Sequence, residues 1–269
     1  MEIKQLQLLE TRGSEDGDID NIITRCHQYY NAKQITTQYG TLVEETLVIN
    51  NQQRSFVIHI PTDSTSKDML LFYHGSRGNA MYSALELTRW IENKNLLCIF
   101  GQAVSPGPSE QPHCDKHYGG VSYGELYWEI RDHNFQFHND LEYTQAIITF
   151  VKEKYHINKS YFVGHSNGGV FACLLALYLP NTFDKIISHM GGIGFDPHFY
   201  LDYQILKSND RRTPLLFYTG ENDIHKQPCE AAKSIFEGDE FPASLYIHPE
   251  LGHDYEYHCE QYIYEWFQL

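Results

Sequence analysis

Tyr161-Phe162-Val163-Gly164-His165-Ser166-Asn167-Gly168-Gly169 is the stretch on which the reading of this chain turns. An apolar run enters it, a helix-compatible run leaves it, and a serine sits between them at the centre of Gly-x-Ser-x-Gly. Read physically, this is a nucleophile elbow, a sharp strand-to-helix turn that lifts a hydroxyl above the end of a sheet. Gly164 and Gly168 suit it because side chains two residues either side of the serine would collide across so tight a turn. The strain at Ser166 is expected to be borne by the strand and helix it joins. The five-residue pattern also occurs in ordinary surface turns, so its flanks have to carry the case.

Working outward, residues 161–163 read as a strand and 167–178 as the helix that follows, ended by Pro180 and Asn181. Upstream, residues 139–155 set Leu141, Thr144, Ile147, Ile148 and Val151 on or near one helical face. Residues 69–73 and 96–100 are short apolar runs of the kind shown by strands covered on both faces. Between them Asn79 opens a helix with Tyr82, Leu85, Leu87 and Trp90 as its inward residues. Residues 41–49 and 54–60, joined by Asn50-Asn51-Gln52-Gln53, read as a hairpin at the sheet edge. Downstream, strands are expected at 183–190, 215–218 and 244–247, and helices at 199–206, 230–236 and 255–267. This alternation implies an α/β class, a mostly parallel central sheet with helices on both faces. No repeat, linker or composition break divides the chain. Residues 1–269 therefore read as one domain, with an N-terminal extension over 1–40 in which 18–33 has near-helical spacing. Residues 101–138 differ, being rich in Gly, Pro, His and aromatics without a sustained period. They are expected to hold a small element near 124–130, to form a substrate-covering loop, or both.

The bulk properties narrow the partners. A chain of 269 residues with 42% apolar and 20% charged residues can bury a large core. Its formal net charge is -15 and no basic run interrupts it, which argues against nucleic acid and anionic membrane surfaces. No stretch is long and apolar enough for a transmembrane span, and residues 1–17 lack the apolar core of a signal peptide. The six cysteines are scattered without paired spacing, and Cys98 and Cys173 lie in apolar runs. Free thiols and a cytoplasmic setting are the expectation, with nonclassical export left open.

A serine hydroxyl attacks well only when a base takes its proton, and a carboxylate usually holds that base in the right tautomer. In an elbow fold the acid and then the histidine should follow the serine, each just past a strand end. Residues 215–218 lead into Thr219-Gly220-Glu221-Asn222-Asp223, and 244–247 into His248-Pro249-Glu250-Leu251-Gly252-His253. Asp223 and His253 are the best-placed pair; Glu221 and Asp196 are the alternatives to the first, His248 and His258 to the second. An oxyanion needs fixed donors. The N–H of Asn167 is one, and the second should come from Ser76 or Arg77 in the loop after residues 69–73. His74 either orients that loop or is an ordinary buried histidine, and Gly75 allows close backbone approach. The loop lacks the Gly-Lys-Ser/Thr ending of a phosphate-binding loop.

His74-Gly75-Ser76-Arg77-Gly78, the Asn139-Asp140 helix opening, the elbow from Lys159 to Gly169, Thr219 to Asp223 and Leu251-Gly252-His253 occur in order across residues 50–269. Together they resemble the polyhydroxybutyrate depolymerase and feruloyl esterase branch of the α/β-hydrolases. The resemblance implies an α/β-hydrolase fold and hydrolysis of a neutral small or oligomeric carboxylic ester through Ser166, Asp223 and His253, without a cofactor. A peptidase or amidase using the same three residues, and a noncatalytic binding protein on the same scaffold, are the competing readings. Many members of that branch are exported and carry disulfides, which this chain does not suggest. Their aromatic substrate platforms have candidates here in Trp128 and several tyrosines, which fit the core equally well.

Other clusters are weaker. His113-Cys114-Asp115-Lys116-His117 has ligand chemistry but no partner pair to complete a zinc site, so no metal is expected. Glu237-Gly238-Asp239-Glu240 reads as a solvated turn. Arg77 and Arg131 read as surface residues rather than anion contacts.

Overall fold

Two asparagines set the register of the first long strand pair. In the computed structural model, which describes residues 4–5, 34–36, 40–62, 67–76, 78–81, 83–84, 87, 96–103, 105–106, 126–128, 139–193, 212–253 and 259–269, β1 (Lys4–Gln5) and β2 (Gln34–Thr36) precede β3 (Gly40–Ile49) and β4 (Gln52–Pro61). Asn50 and Asn51 between β3 and β4 have φ of 51° and 62°. A type I′ hairpin turn needs positive φ at both central residues, and asparagine tolerates it better than most. The turn is therefore shorter than the expected 50–53, and Gln52 and Gln53 pair with Ile49 and Val48. The hairpin is not at the edge either. β2 pairs with the outer side of β3, and β1 with β2.

Beyond β4 the sheet becomes parallel. β5 (Lys67–Tyr73), β6 (Leu96–Gly101), β9 (Ile157–His165), β10 (Lys185–His189), β11 (Leu215–Gly220) and β12 (Ala243–His248) complete the order β1-β2-β3-β4-β6-β5-β9-β10-β11-β12. β4 meets β6 antiparallel, and every pair from β6 to β12 is parallel. A parallel sheet brings all its strand C-termini to one edge. There the loops after β5, β9, β11 and β12 meet. β7 (Ser105–Pro106) and β8 (Leu126–Tyr127) form a separate antiparallel ribbon, which is the small element expected near 124–130.

Helices cover both faces. α1 (Asn139–Lys154), α2 (Asn167–Tyr178) and α3 (Lys226–Gly238) pack on one side, with Tyr143, Ile147, Phe171, Leu175, Cys229 and Phe236 in that core. α4 (Cys259–Phe267) and the helical residues after Asn79 cover the other, through Ile263, Phe267, Met81, Ala84 and Leu87. α2 is buried continuously from Asn167 to Leu177, as expected of a helix that is apolar all round. α3 starts four residues before the expected 230 because Pro228 falls in its first turn, where a missing N–H breaks no helical bond. Asn79 does cap, its Oδ1 accepting the Met81 N–H at 2.9 Å. Cys98, Cys173 and Cys229 are free, buried thiols. Among the described residues no helix is long and apolar enough to cross a membrane. The helices expected over 18–33 and 199–206, and Tyr82, Leu85 and Trp90, lie outside the described residues.

Candidate active site

The elbow forms where β9 gives way to α2. Ser166 adopts φ 51° and ψ -115°, a region that residues with a side chain rarely enter. Its N–H donates to His189 O at 2.8 Å and its carbonyl accepts the Val170 N–H at 2.9 Å. The next strand and the buried helix thus hold the strained residue from both sides. A Cβ on Gly164 would lie 1.9 Å from Gly168 O, the collision across the turn that the sequence suggests. Gly168 is constrained differently: its Cβ would lie 2.5 Å from Tyr73 O, so β5 rather than the turn itself demands glycine there.

Ser166, His253 and Asp223 form one hydrogen-bonded line. Ser166 Oγ is 3.0 Å from His253 Nε2, and His253 Nδ1 is 2.8 Å from Asp223 Oδ1. Asp223 also accepts from the Thr219 hydroxyl at 2.9 Å and the His225 N–H at 2.8 Å. Burial pushes its carboxyl up, but the hydrogen bonds from His253, His225 and Thr219 outweigh burial and hold it below the usual carboxylate value. An ionised acceptor at Oδ1 calls for a proton on His253 Nδ1, which leaves Nε2 free to face the serine. The two loops that carry Asp223 and His253 are joined by backbone bonds, Glu221 N–H to His248 O at 2.8 Å and Asn222 N–H to Leu251 O at 2.9 Å.

The loop after β5 closes the other side. A Cβ on Gly75 would come within 3.0 Å of Ser166 Cβ, so this loop lies directly against the serine. His74 Nδ1 donates to Gly75 O at 2.7 Å while its Nε2 accepts the Ala103 N–H at 3.2 Å. A carbonyl on one nitrogen and an N–H on the other require neutral imidazole, and burial lowers the His74 pKa to about 4. Trp128 completes the wall. Its ring stacks on Tyr73 at 3.7 Å between centroids and 4° between planes, its indole N–H donates to His74 O at 2.8 Å, and its main-chain N–H donates to Asn167 Oδ1 at 2.7 Å. At 1% exposure Trp128 is a core residue, not an open aromatic platform. Behind it, a buried ion pair joins Arg54 to Asp140 at 2.6 Å, and the same guanidinium donates to Gln102 O at 3.2 Å.

Three further histidines surround the line. His165 Nδ1 and His189 Nδ1 are 2.9 Å apart, so one donates and the other accepts. His225 donates from Nδ1 to Gly191 O at 3.1 Å and stacks on His253 at 4.8 Å. Burial lowers the pKa of all three, that of His189 to about 3. They therefore stay neutral beside His253. Their only signal in the sequence is position: each closes a parallel strand or follows the acid loop.

The remaining residues proposed from sequence divide plainly. Ser76 is exposed on the loop beside the serine, whereas Arg77 lies outside the described residues. Glu221 is engaged with Lys226 at 2.6 Å, and His248 is half-buried at the end of β12, its Nδ1 accepting the Glu250 N–H at 3.3 Å. Asp196, His258, Arg131 and the 113–117 cluster lie outside the described residues. Among the described residues no group of His, Cys, Asp or Glu could hold a metal ion.

Likeness to other proteins extends this geometry. Residues 129–185 match the family model described as "Alpha/beta hydrolase of unknown function (DUF915)". A protein named "Uncharacterized hydrolase R843" from Acanthamoeba polyphaga mimivirus is 29% identical over 252 residues, covering 83% of this chain and 78% of that protein. The structure of S-formylglutathione hydrolase from Staphylococcus aureus superposes with a TM-score of 0.62 at 14% identity, covering 84% of this chain and 97% of that one. The feruloyl esterase module from Clostridium thermocellum superposes with a TM-score of 0.60 at 15% identity, covering 85% and 87%. Sheet order, strand-end loops and these likenesses agree: the chain has the α/β-hydrolase fold.

Proposed function

We propose that this chain is a serine hydrolase that cleaves carboxylic esters by two successive acyl transfers. The observation that carries the reading is the unbroken line from Ser166 Oγ through the His253 ring to Asp223, with 3.0 and 2.8 Å steps. His253 Nε2 takes the hydroxyl proton as Ser166 Oγ bonds to the ester carbonyl carbon. Asp223 holds the resulting imidazolium through Nδ1–H. The oxyanion is received by the Asn167 N–H and the Ser76 N–H, fixed donors that need no reorganisation as charge develops. When the tetrahedral species collapses, the acyl–oxygen bond breaks and His253 returns the proton to the departing alcohol. Water then gives its proton to the same nitrogen and its oxygen to the acyl carbon, and Ser166 leaves with that proton. The neutral state of His165, His189 and His225 suits this scheme, because a standing positive charge would oppose protonation of His253.

Two of the structural relatives are named an S-formylglutathione hydrolase and a feruloyl esterase, which puts a small acyl ester and a feruloyl ester on the substrate panel. The polyhydroxybutyrate depolymerase likeness adds hydroxyalkanoate oligomers to the panel. The test compares wild type with Ser166→Ala on p-nitrophenyl acetate, a feruloyl ester, a hydroxybutyrate oligomer and a peptide p-nitroanilide, with folding checked by circular dichroism. The expected result is ester turnover that falls about 10⁴-fold or more in the variant. Equal turnover by the two proteins rejects Ser166 as nucleophile, and preference for the anilide replaces esterase by amidase.

A further inference from the structure

We infer that Trp128 is a positioning residue that holds the two oxyanion donors at a fixed separation. The inference rests on the esterase reading of Ser166 and adds to it a residue that touches neither substrate nor the proton line.

The two donors belong to different parts of the chain. Ser76 follows β5 and Asn167 opens α2, so nothing covalent nearby fixes one against the other. Oxyanion stabilisation depends on donors being held close to where the oxygen will form, and displacements of a fraction of an ångström matter. Trp128 grips both sides. Its indole N–H holds the carbonyl of His74, two residues before Ser76, at 2.8 Å. Its main-chain N–H holds the Asn167 side chain at 2.7 Å. The ring cannot swing away, because it lies flat on Tyr73 and is flanked by Tyr143 and Phe171 at 6.3 and 5.9 Å. The tyrosine beneath it is anchored in turn, its hydroxyl meeting Thr144 Oγ1 at 2.6 Å while Thr144 donates to Asp140 O at 2.7 Å. A tryptophan needed only for volume would require no aligned pair of donors. Here both of its N–H groups are spent on opposite arms of one hole.

Trp128→Phe keeps a ring over Tyr73 and removes the indole donor; Asn167→Ala removes the acceptor at the other arm. The full chain is assayed on p-nitrophenyl acetate, with the rate of Ser166 labelling by a fluorophosphonate followed alongside. Each variant is expected to lose about 10-fold in kcat with KM within about twofold, less than the 10²–10³-fold typical of deleting a donor outright. Labelling should slow in parallel and the pH profile should keep its midpoint, since the His253 line is untouched. The double variant should lose little more than the worse single one, because either cut opens the same clamp. Wild-type kcat in Trp128→Phe overturns the clamp, as does a loss carried by KM or a double variant whose losses multiply. Should Trp128→Phe fail to fold, kcat and labelling of Asn167→Ala decide the matter, wild-type values there overturning the clamp. A wild-type protein that the fluorophosphonate does not label overturns the esterase reading itself, and the clamp with it.

Discussion

The two walls of this site are built on opposite plans. In the proposed mechanism the proton line uses three side chains, from the ends of β9, β11 and β12, and the loops carrying Asp223 and His253 bond directly to one another. The proposed oxyanion wall would use main-chain N–H groups, and it is held through contacts far apart in sequence: Arg54 with Asp140, Gln102 with Arg54, Ala103 with His74, and Trp128 with both His74 and Asn167. Side-chain chemistry requires particular residue types at particular strand ends. Main-chain chemistry requires only that the backbone be held still, and many residues can share that task.

The difference can be tested by cutting each wall in turn. The largest effect belongs to the proton line: Asp223→Ala should lower kcat/KM about 10³–10⁴-fold with little change in KM, read on p-nitrophenyl acetate. A loss below about tenfold would make Asp223 a turn residue and remove the asymmetry between the walls. Next is the ion pair behind the oxyanion wall. Asp140→Ala leaves the Arg54 guanidinium buried without its 2.6 Å partner and should cost about 3–5 kcal/mol in urea unfolding. An unchanged midpoint would mean that water or Gln102 already satisfies Arg54. Third, His74→Ala frees Gly75 O and Ala103 N–H together and should reduce kcat by about 10-fold, short of deleting a donor, without moving the pH–rate midpoint.

The smallest effect separates the walls by pH. Burial lowers the His74 pKa from 6.5 to about 4. Between those values the unfolded chain binds a proton that the native one refuses. The stability is therefore fully present above about pH 6.5 and is lost as pH falls towards about 4, at no more than about 1.4 kcal/mol per pH unit for each such histidine. His165, His189 and His225 act in the same sense. Asp223, held below the ordinary carboxylate value of 3.8, adds its loss only as pH falls from that value through the folded one. Thermal unfolding followed from about pH 7 to about pH 4 should show a falling Tm, with a shallower slope in His74→Gln. Parallel slopes would show that His74 takes up its proton without disturbing the loop.

Local patterns make much of this legible. The limits of α2 match the sequence reading because its apolar run begins at the elbow and ends before Pro180. β11 and β12 are recognisable as short apolar runs ending in polar loops. The hairpin is visible, yet its two-residue turn is not, since the choice between Asn50-Asn51 and a longer loop lies in φ values that composition does not express. The outer strands β1 and β2 escape for a similar reason: Lys4–Gln5 and Gln34–Thr36 are too short to show alternation. Trp128 is ambiguous between platform and core because an aromatic side chain serves either.

What the sequence determined by itself is the order of the parts. A glycine-flanked serine enters a helix, and an acid and a histidine follow at successive strand ends; those residue types are read locally, and the proposed chemistry depends on them. It took the packed fold to show that Gly168 answers to β5, that His165, His189 and His225 gather around His253, and that Trp128 bonds to both His74 and Asn167. Each of these depends on which strands lie side by side, and sheet order is a property of the packed whole that no single stretch of chain encodes.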